Sequence, residues 1–219
     1  MKCIFRLPAV LLLAALAAAQ QPSAREVAQQ VEKHYDRVSS MRAEFTESYR
    51  GAGIERVESG TVWLKKPGRM RWEYREPREK LFVSDGRTAY FYVPGERQAR
   101  RAPLNKLDDL RTPLRFLLGK ADLEKELDAL SFAYDQQPSV PGNRVIRGVP
   151  KSMADRVQQV LFEITPPGQI VRVVAEELDG SVTEFQFRNI QENLTIASEQ
   201  FKFRVPQGVE MIEVTEVSP

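Results

Sequence analysis

Cysteine and histidine are nearly absent from this sequence of 219 residues, which holds one of each, Cys3 and His34. Structural zinc sites and hydrolases of the Ser-His-Asp or Cys-His type draw on these residues. No glycine-rich phosphate loop is present, and the adjacent carboxylates of Asp108-Asp109 and Glu176-Glu177 point in different directions on a helix or a strand. We therefore expect no catalytic residue, no metal ion and no cofactor.

Long apolar runs are also scarce, and the most prominent one lies at the N-terminus. Leu7 to Ala19 follows the basic residues Lys2 and Arg6 and ends in three alanines, which is the pattern of a secretory signal peptide. The run is too short for a comfortable transmembrane helix, which needs roughly 20 residues. We expect residues 1–19 to be removed together with Cys3, leaving residues 20–219 as one exported domain.

Neither sign of charge dominates. Of the 32 basic residues, Lys2 and Arg6 belong to the leader, which leaves 30 basic residues against 30 acidic ones. Arg69 and Arg71 flank Trp72 as in a base-stacking platform, but alternate residues of a strand face opposite ways, so the arginines would point away from the aromatic rings. We expect no nucleic-acid partner; either plain solvation or an acidic partner fits an outward basic face.

The sequence is rich in residues that alternate with a period of two. The stretch from Gly60 to Tyr74 predicts two strands around the turn Lys66-Pro67-Gly68. Pro67 fixes its own φ and disfavours a helical conformation at Lys66, and Gly68 permits positive φ. Val62 and Leu64 share one face of the first strand, and Met70, Trp72 and Tyr74 share one face of the second.

Other segments complete the expected architecture. Ser23 and Glu26 form a capping box that predicts a helix over residues 24–39. A second helical region is predicted between residues 104 and 128, with Asp122 to Leu130 as its last helix, and the last strands include Phe201 to Val205. We count about eleven strands and no βαβ alternation, which predicts one mainly antiparallel, curled sheet with helices on its concave side.

Five segments resemble a known family in their order and spacing. They are Val38 to Thr46, Gly60 to Trp72 with Lys65-Lys66-Pro67, Val83 to Gly86 followed by Phe91-Tyr92 and Pro94, Thr112-Pro113, and Val205 to Val209. Together they resemble the LolA family of periplasmic outer-membrane lipoprotein carriers. The resemblance covers nearly the whole chain after the leader.

The resemblance implies an unclosed β-barrel with a helical lid, and a periplasmic, monomeric, non-enzymatic carrier. Such a carrier takes acylated lipoproteins from an inner-membrane ABC transporter and passes them to an outer-membrane acceptor. A regulator that senses lipids or lipoproteins on the same fold is the alternative. A lipid-modifying hydrolase and a structural scaffold also stay open.

The resemblance, together with strand parity for Val62 and Leu64, assigns roles to ten residues. The expected lipid-binding cavity and lid are lined by Phe45, Val62, Leu64, Met70, Trp72, Phe82, Leu114, Phe116 and Leu117. Lys66 stands where the family has an arginine that holds the lid closed by hydrogen bonding to a helix backbone, so it is the expected lid latch. Lysine lacks the planar fork of arginine, which predicts a different tether.

Overall fold

The alternating segments build twelve strands in the computed structural model, which describes residues 22–104 and 122–214. The strands are β1 Ser40–Gly51, β2 Ile54–Lys65, β3 Arg69–Glu76, β4 Lys80–Asp85, β5 Thr88–Tyr92, β6 Gln98–Pro103, β7 Leu127–Phe132, β8 Arg144–Pro150, β9 Val157–Ile164, β10 Ile170–Glu177, β11 Val182–Glu192 and β12 Glu210–Glu213. The expected leader and the predicted lid residues Leu114, Phe116 and Leu117 lie outside the described residues.

All twelve strands belong to one sheet, in the order β12-β6-β5-β4-β3-β2-β1-β11-β10-β9-β8-β7. Every neighbouring pair is antiparallel except β12 and β6, which run parallel. Among the described strands, no pairing joins β7 to β12, so the sheet is not closed. The predicted fold class is confirmed, with twelve strands instead of about eleven.

The hairpin of β2 and β3 forms where the sequence predicts it. Gly68 adopts a φ of 64° in the turn, and Val62 pairs with Trp72 across the two strands. A register shift separates Ser59 from Gly60, and a Cβ atom on Gly60 would lie 1.9 Å from the backbone oxygen of Glu73. Glycine is therefore required at position 60, because β2 and β3 approach too closely for a side chain there.

Helix α1, Ala24–Asp36, begins at the predicted capping box, in which Ser23 and Glu26 each accept from the other's backbone N–H. It ends three residues before the predicted end at position 39, because Ser40 already pairs with Lys65 of β2. The buried face of α1 packs into the same core as the concave face of the sheet. This face contains Ala24, Val27, Ala28, Val31 and Tyr35.

The prediction of a helix from Asp122 to Leu130 is wrong beyond its first turn. Helix α2 spans only Leu123–Glu126, and the chain continues as β7, where Leu127 pairs with Pro150 of β8. Local helix propensity is overridden here by pairing with a neighbouring strand and by burial of the Leu127 side chain.

The predicted strand from Phe201 to Val205 is also wrong. Residues Ser198–Phe201 form a short 3₁₀ turn, and the side chain of Phe201 is buried while the guanidinium of Arg69 lies 5.9 Å from its ring centroid. Apolar residues alternate in this segment because one side of it covers the outer face of the sheet.

Within the described ranges, no helix is long and apolar enough to cross a membrane.

Candidate functional site

The concave face of the sheet is built in rows, because strand register places inward side chains opposite one another. Leu64 lies opposite both Met41 and Met70, and in the next row Val62 lies opposite Ala43 and Trp72. The second row continues through Phe82 and Phe91 on β4 and β5. The six described residues expected in the cavity wall are all buried in one apolar cluster: Phe45, Val62, Leu64, Met70, Trp72 and Phe82.

Aromatic rings meet around Trp72 near the middle of this face. Its ring centroid lies 4.8 Å from that of Phe45, 5.8 Å from that of Phe185 and 6.4 Å from that of Phe187, each in an edge-on arrangement. Phe185 and Phe187 come from β11 and were not predicted. Their alternation in the sequence was a usable signal, but only the pairing of β1 with β11 brings them to Trp72.

Among the four rings of Trp72, Phe45, Phe185 and Phe187, the indole N–H of Trp72 is the one polar group. Trp72 is 2% exposed, and its Nε1 has no hydrogen-bond partner among the residues that the structure describes. The rings around it, those of Phe45, Phe185 and Phe187, are apolar. Such a surface favours contact with hydrocarbon because each buried methylene contributes about 0.8 kcal/mol.

Lys66, at the turn between β2 and β3, reaches the last turn of α1. Its Nζ donates a hydrogen bond to the backbone oxygen of Tyr35 at 2.5 Å. A cation at a helix C-terminus also interacts favourably with the helix dipole. Lys66 therefore contacts the backbone of α1. Its role as a lid latch stays a prediction, because the predicted lid residues lie outside the described ranges.

Two further contacts fix α1 to the sheet. The hydroxyl oxygen of Tyr35 accepts from the backbone N–H of Ile170 at 3.2 Å, and burial raises the pKa of Tyr35. His34 Nε2 lies 2.8 Å from an oxygen of Glu192, to which Gln169 also donates. His34 is therefore a packing residue of the helix. Among the described residues, no three His, Cys, Asp or Glu side chains come together as a metal site.

A buried polar cluster bounds the half of the apolar face that β1 to β4 build, at the end away from Lys66. Glu47 and Glu58 are direct partners across β1 and β2. The hydroxyl of Tyr74 donates to Glu47 Oε2 at 2.8 Å, and Lys80 Nζ donates to Glu58 Oε2 at 2.6 Å. Burial raises the pKa of Glu47, although the hydrogen bond from Tyr74 lowers it in part. We call Glu47, Glu58, Tyr74 and Lys80 the polar end.

No residue of the polar end is among the site residues predicted from the sequence. Glu47 has the same parity as Phe45 and Tyr49, so an acidic residue on the apolar face was a visible signal. Its counterpart, Glu58, becomes recognisable only when the register of β1 and β2 is known.

The arginines beside Trp72 point to the outer face, as parity predicts. Arg71 forms an ion pair with Glu73 at 2.6 Å and donates to the backbone oxygen of Gln200 at 3.4 Å. Lys65 donates to the backbone oxygen of Ile196 at 2.5 Å. This part of the outer face is therefore bound to the chain's own C-terminal segment, which reduces the basic surface that a partner could reach.

A model described as the outer membrane lipoprotein carrier protein LolA matches residues 36–204. This chain belongs to the LolA family. Two relatives are both named outer-membrane lipoprotein carrier protein. The one from Nitrosospira multiformis is 29% identical over 178 residues, which cover 79% of this chain and 82% of the relative. The one from Cupriavidus necator is 26% identical over 206 residues, which cover 91% of this chain and 93% of the relative.

Among solved structures, a LolA superfamily protein from Nitrosomonas europaea covers 83% of this chain and 98% of its own length. Its TM-score is 0.46 and its sequence identity 13%. The LolA resemblance of the sequence is thus confirmed by the family match and by the relatives, over most of the chain.

Proposed function

We propose that this protein is a periplasmic carrier that shields the acyl chains of lipoproteins against the concave face around Trp72. It receives them from an inner-membrane ABC transporter and delivers them to an outer-membrane acceptor, as a monomer and without catalysing a reaction. The observation that carries the proposal is the continuous buried wall from Leu64 through Trp72 to Phe82, in a chain of the LolA family whose named relatives are lipoprotein carriers.

The physical need for such a wall follows from the cargo. With about 0.8 kcal/mol per methylene, several long acyl chains do not leave a membrane for water on a useful timescale unless a protein covers them. The carrier must also release them. We call the end of the concave face that carries Lys66 the rim. Lys66 suits that requirement because one hydrogen bond to the Tyr35 carbonyl can hold α1 at the rim and yet be broken at small cost.

The two tryptophans provide a test that needs no disruptive substitution. Trp72 lies on the concave face, whereas Trp63 has the opposite parity and lies beneath the guanidinium of Arg42 at 5.9 Å. Each of Trp63→Phe and Trp72→Phe leaves one tryptophan in the protein, since the chain has two. A synthetic lipopeptide with brominated acyl chains, which quench fluorescence on contact, is titrated into both variants.

We expect strong quenching in Trp63→Phe, where Trp72 is the reporter, and little in Trp72→Phe. A non-brominated lipopeptide should displace the quencher, and transfer to acceptor-bearing outer-membrane vesicles should restore the emission. Equal quenching of both variants, or of neither, would contradict a cargo site on the concave face. Turnover of an ester bond in the lipopeptide would revive the hydrolase alternative.

A further inference from the structure

On the half of the concave face that β1 to β4 build, the polar end lies where the apolar rows stop. On the other half, the row of Glu47 continues through the apolar residues Phe185 and Val173. Along β2, inward positions run from Leu64 and Val62 through Gly60 to Glu58. At about 3.3 Å per residue, the distance from Leu64 to Glu58 is roughly 20 Å along the strand. Hydrocarbon lying along this half of the face from the rim that carries Lys66 would therefore meet Glu58 and Glu47 at its far end.

Each charged or polar group at this end has a partner. Glu58 is 5% exposed and binds both Lys80 Nζ at 2.6 Å and Arg56 Nε at 3.2 Å. Glu47 is 6% exposed and accepts the hydroxyl hydrogen of Tyr74. Lys80 Nζ also lies 4.3 Å from the ring centroid of Tyr74, so its charge is held between the ring and Glu58.

An acyl chain gains nothing by advancing into this network. Its methyl end would have to separate Lys80 from Glu58 or Tyr74 from Glu47, leaving buried groups without partners, and that loss exceeds the gain from a further methylene. The ring of Tyr74 also belongs to this boundary, and its centroid lies 4.9 Å from that of Phe45, the last apolar residue before it on β1.

We propose that the polar end sets the maximum acyl length that this carrier accommodates, with Glu58 and Lys80 as specificity-determining residues. The inference rests on the proposed function, because it takes the concave face as the acyl site. It predicts that affinity rises with chain length only until the chain reaches Glu47 and Glu58.

The experiment measures dissociation constants for mono-acylated lipopeptides of increasing chain length, by displacement of a fluorescent fatty acid. For the wild type we expect affinity to rise about fourfold per methylene and then to level off at a defined length. In Glu58→Leu/Lys80→Leu, which replaces an ion pair by apolar groups, the rise should continue for at least two more carbons. Replacing both partners together avoids a buried unpaired charge.

The matched control is Arg172→Leu/Glu184→Leu, which removes an ion pair of 2.9 Å from the outer face of β10 and β11, where both side chains are also largely buried. The dependence of its affinity on acyl length, which we call the length profile, should equal that of the wild type. If Glu58→Leu/Lys80→Leu does not fold, Glu47→Leu/Tyr74→Phe removes the other half of the polar end and should lengthen the profile likewise.

Two outcomes would overturn the inference and are distinguishable. If lipopeptides bind but the profile levels off at the same length in wild type, variant and control, the polar end does not limit acyl length and the carrier function stands. If no acylated probe of any length binds, the proposed function fails and the inference with it.

Discussion

The two ends of the concave face hold their charges in different ways. At the rim, the ammonium group of Lys66 meets one carbonyl oxygen within residues 22–104 and 122–214, that of Tyr35. At the polar end, Glu47, Glu58, Tyr74 and Lys80 form contacts in which each buried carboxylate has a donor. A single contact at a half-buried position exchanges readily for water, whereas a buried network must be replaced as a whole. We therefore expect the conformation to change at the rim and to stay fixed at the opposite end.

The largest effect on stability is expected when one partner of the ion pair between Glu58 and Lys80 is removed alone. Lys80→Met leaves Glu58 buried, and the ion-pair partner that remains among the described residues is the more exposed Arg56. We expect the free energy of unfolding to fall by about 3 kcal/mol. Urea unfolding measures this change. The double variant Glu58→Leu/Lys80→Leu should lose about 1 kcal/mol or less, because no charge is left unpaired. A double variant as unstable as Lys80→Met would contradict the network.

A smaller effect concerns pH. Burial raises the pKa of Glu47 in the folded protein, so the folded state binds this proton more tightly than the unfolded state does. The linkage term therefore favours folding at acid pH and is lost as pH rises from the usual carboxyl range through the raised pKa. The glutamine side chain in Glu47→Gln does not titrate. The free energy of unfolding of this variant, relative to that of the wild type, should therefore increase with pH across that window. Parallel curves of unfolding free energy against pH would refute this assignment.

The smallest effect on stability is expected at the rim. Lys66→Leu removes a hydrogen bond from a half-buried ammonium group, and solvent screening reduces what such a bond contributes. The free energy of unfolding should therefore fall by about 1 kcal/mol. If that bond favours the release of cargo by the same amount, as the proposed function has it, its loss slows transfer to an acceptor by about fivefold.

Lys65→Leu is the matched control for the rim, because Lys65 also donates to a backbone carbonyl, that of Ile196, but on the outer face. Its transfer rate should equal that of the wild type. Equal transfer by Lys66→Leu and Lys65→Leu would show that the contact with Tyr35 has no part in release.

Much of the wall around Trp72 could be predicted because it depends on local rules. In a strand, alternate side chains face opposite ways, so the inward direction of Val62, Leu64, Met70 and Trp72 follows from one correctly located turn at Pro67-Gly68. The capping box at Ser23 similarly marks the start of α1, since its two hydrogen bonds join residues three apart.

Local rules failed where a distant partner decides the outcome. Leu127 continues a helical pattern, but its pairing with Pro150 draws it into β7. Phe201 belongs to an alternating segment, but it is buried against the outer face of the sheet outside any strand. In both places the energy of burial against another element outweighs a weak local propensity.

The sequence by itself thus determined which faces of the strands are apolar, where the main hairpin turns and to which family the chain belongs, because these are properties of neighbouring residues and of their order. Only the tertiary structure decided that Phe185 and Phe187 join Trp72, that Lys66 reaches the carbonyl of Tyr35, and that Glu47 and Glu58 meet at the far end of the apolar face. Those contacts join residues that are far apart in the chain, and their positions depend on the register of whole strands.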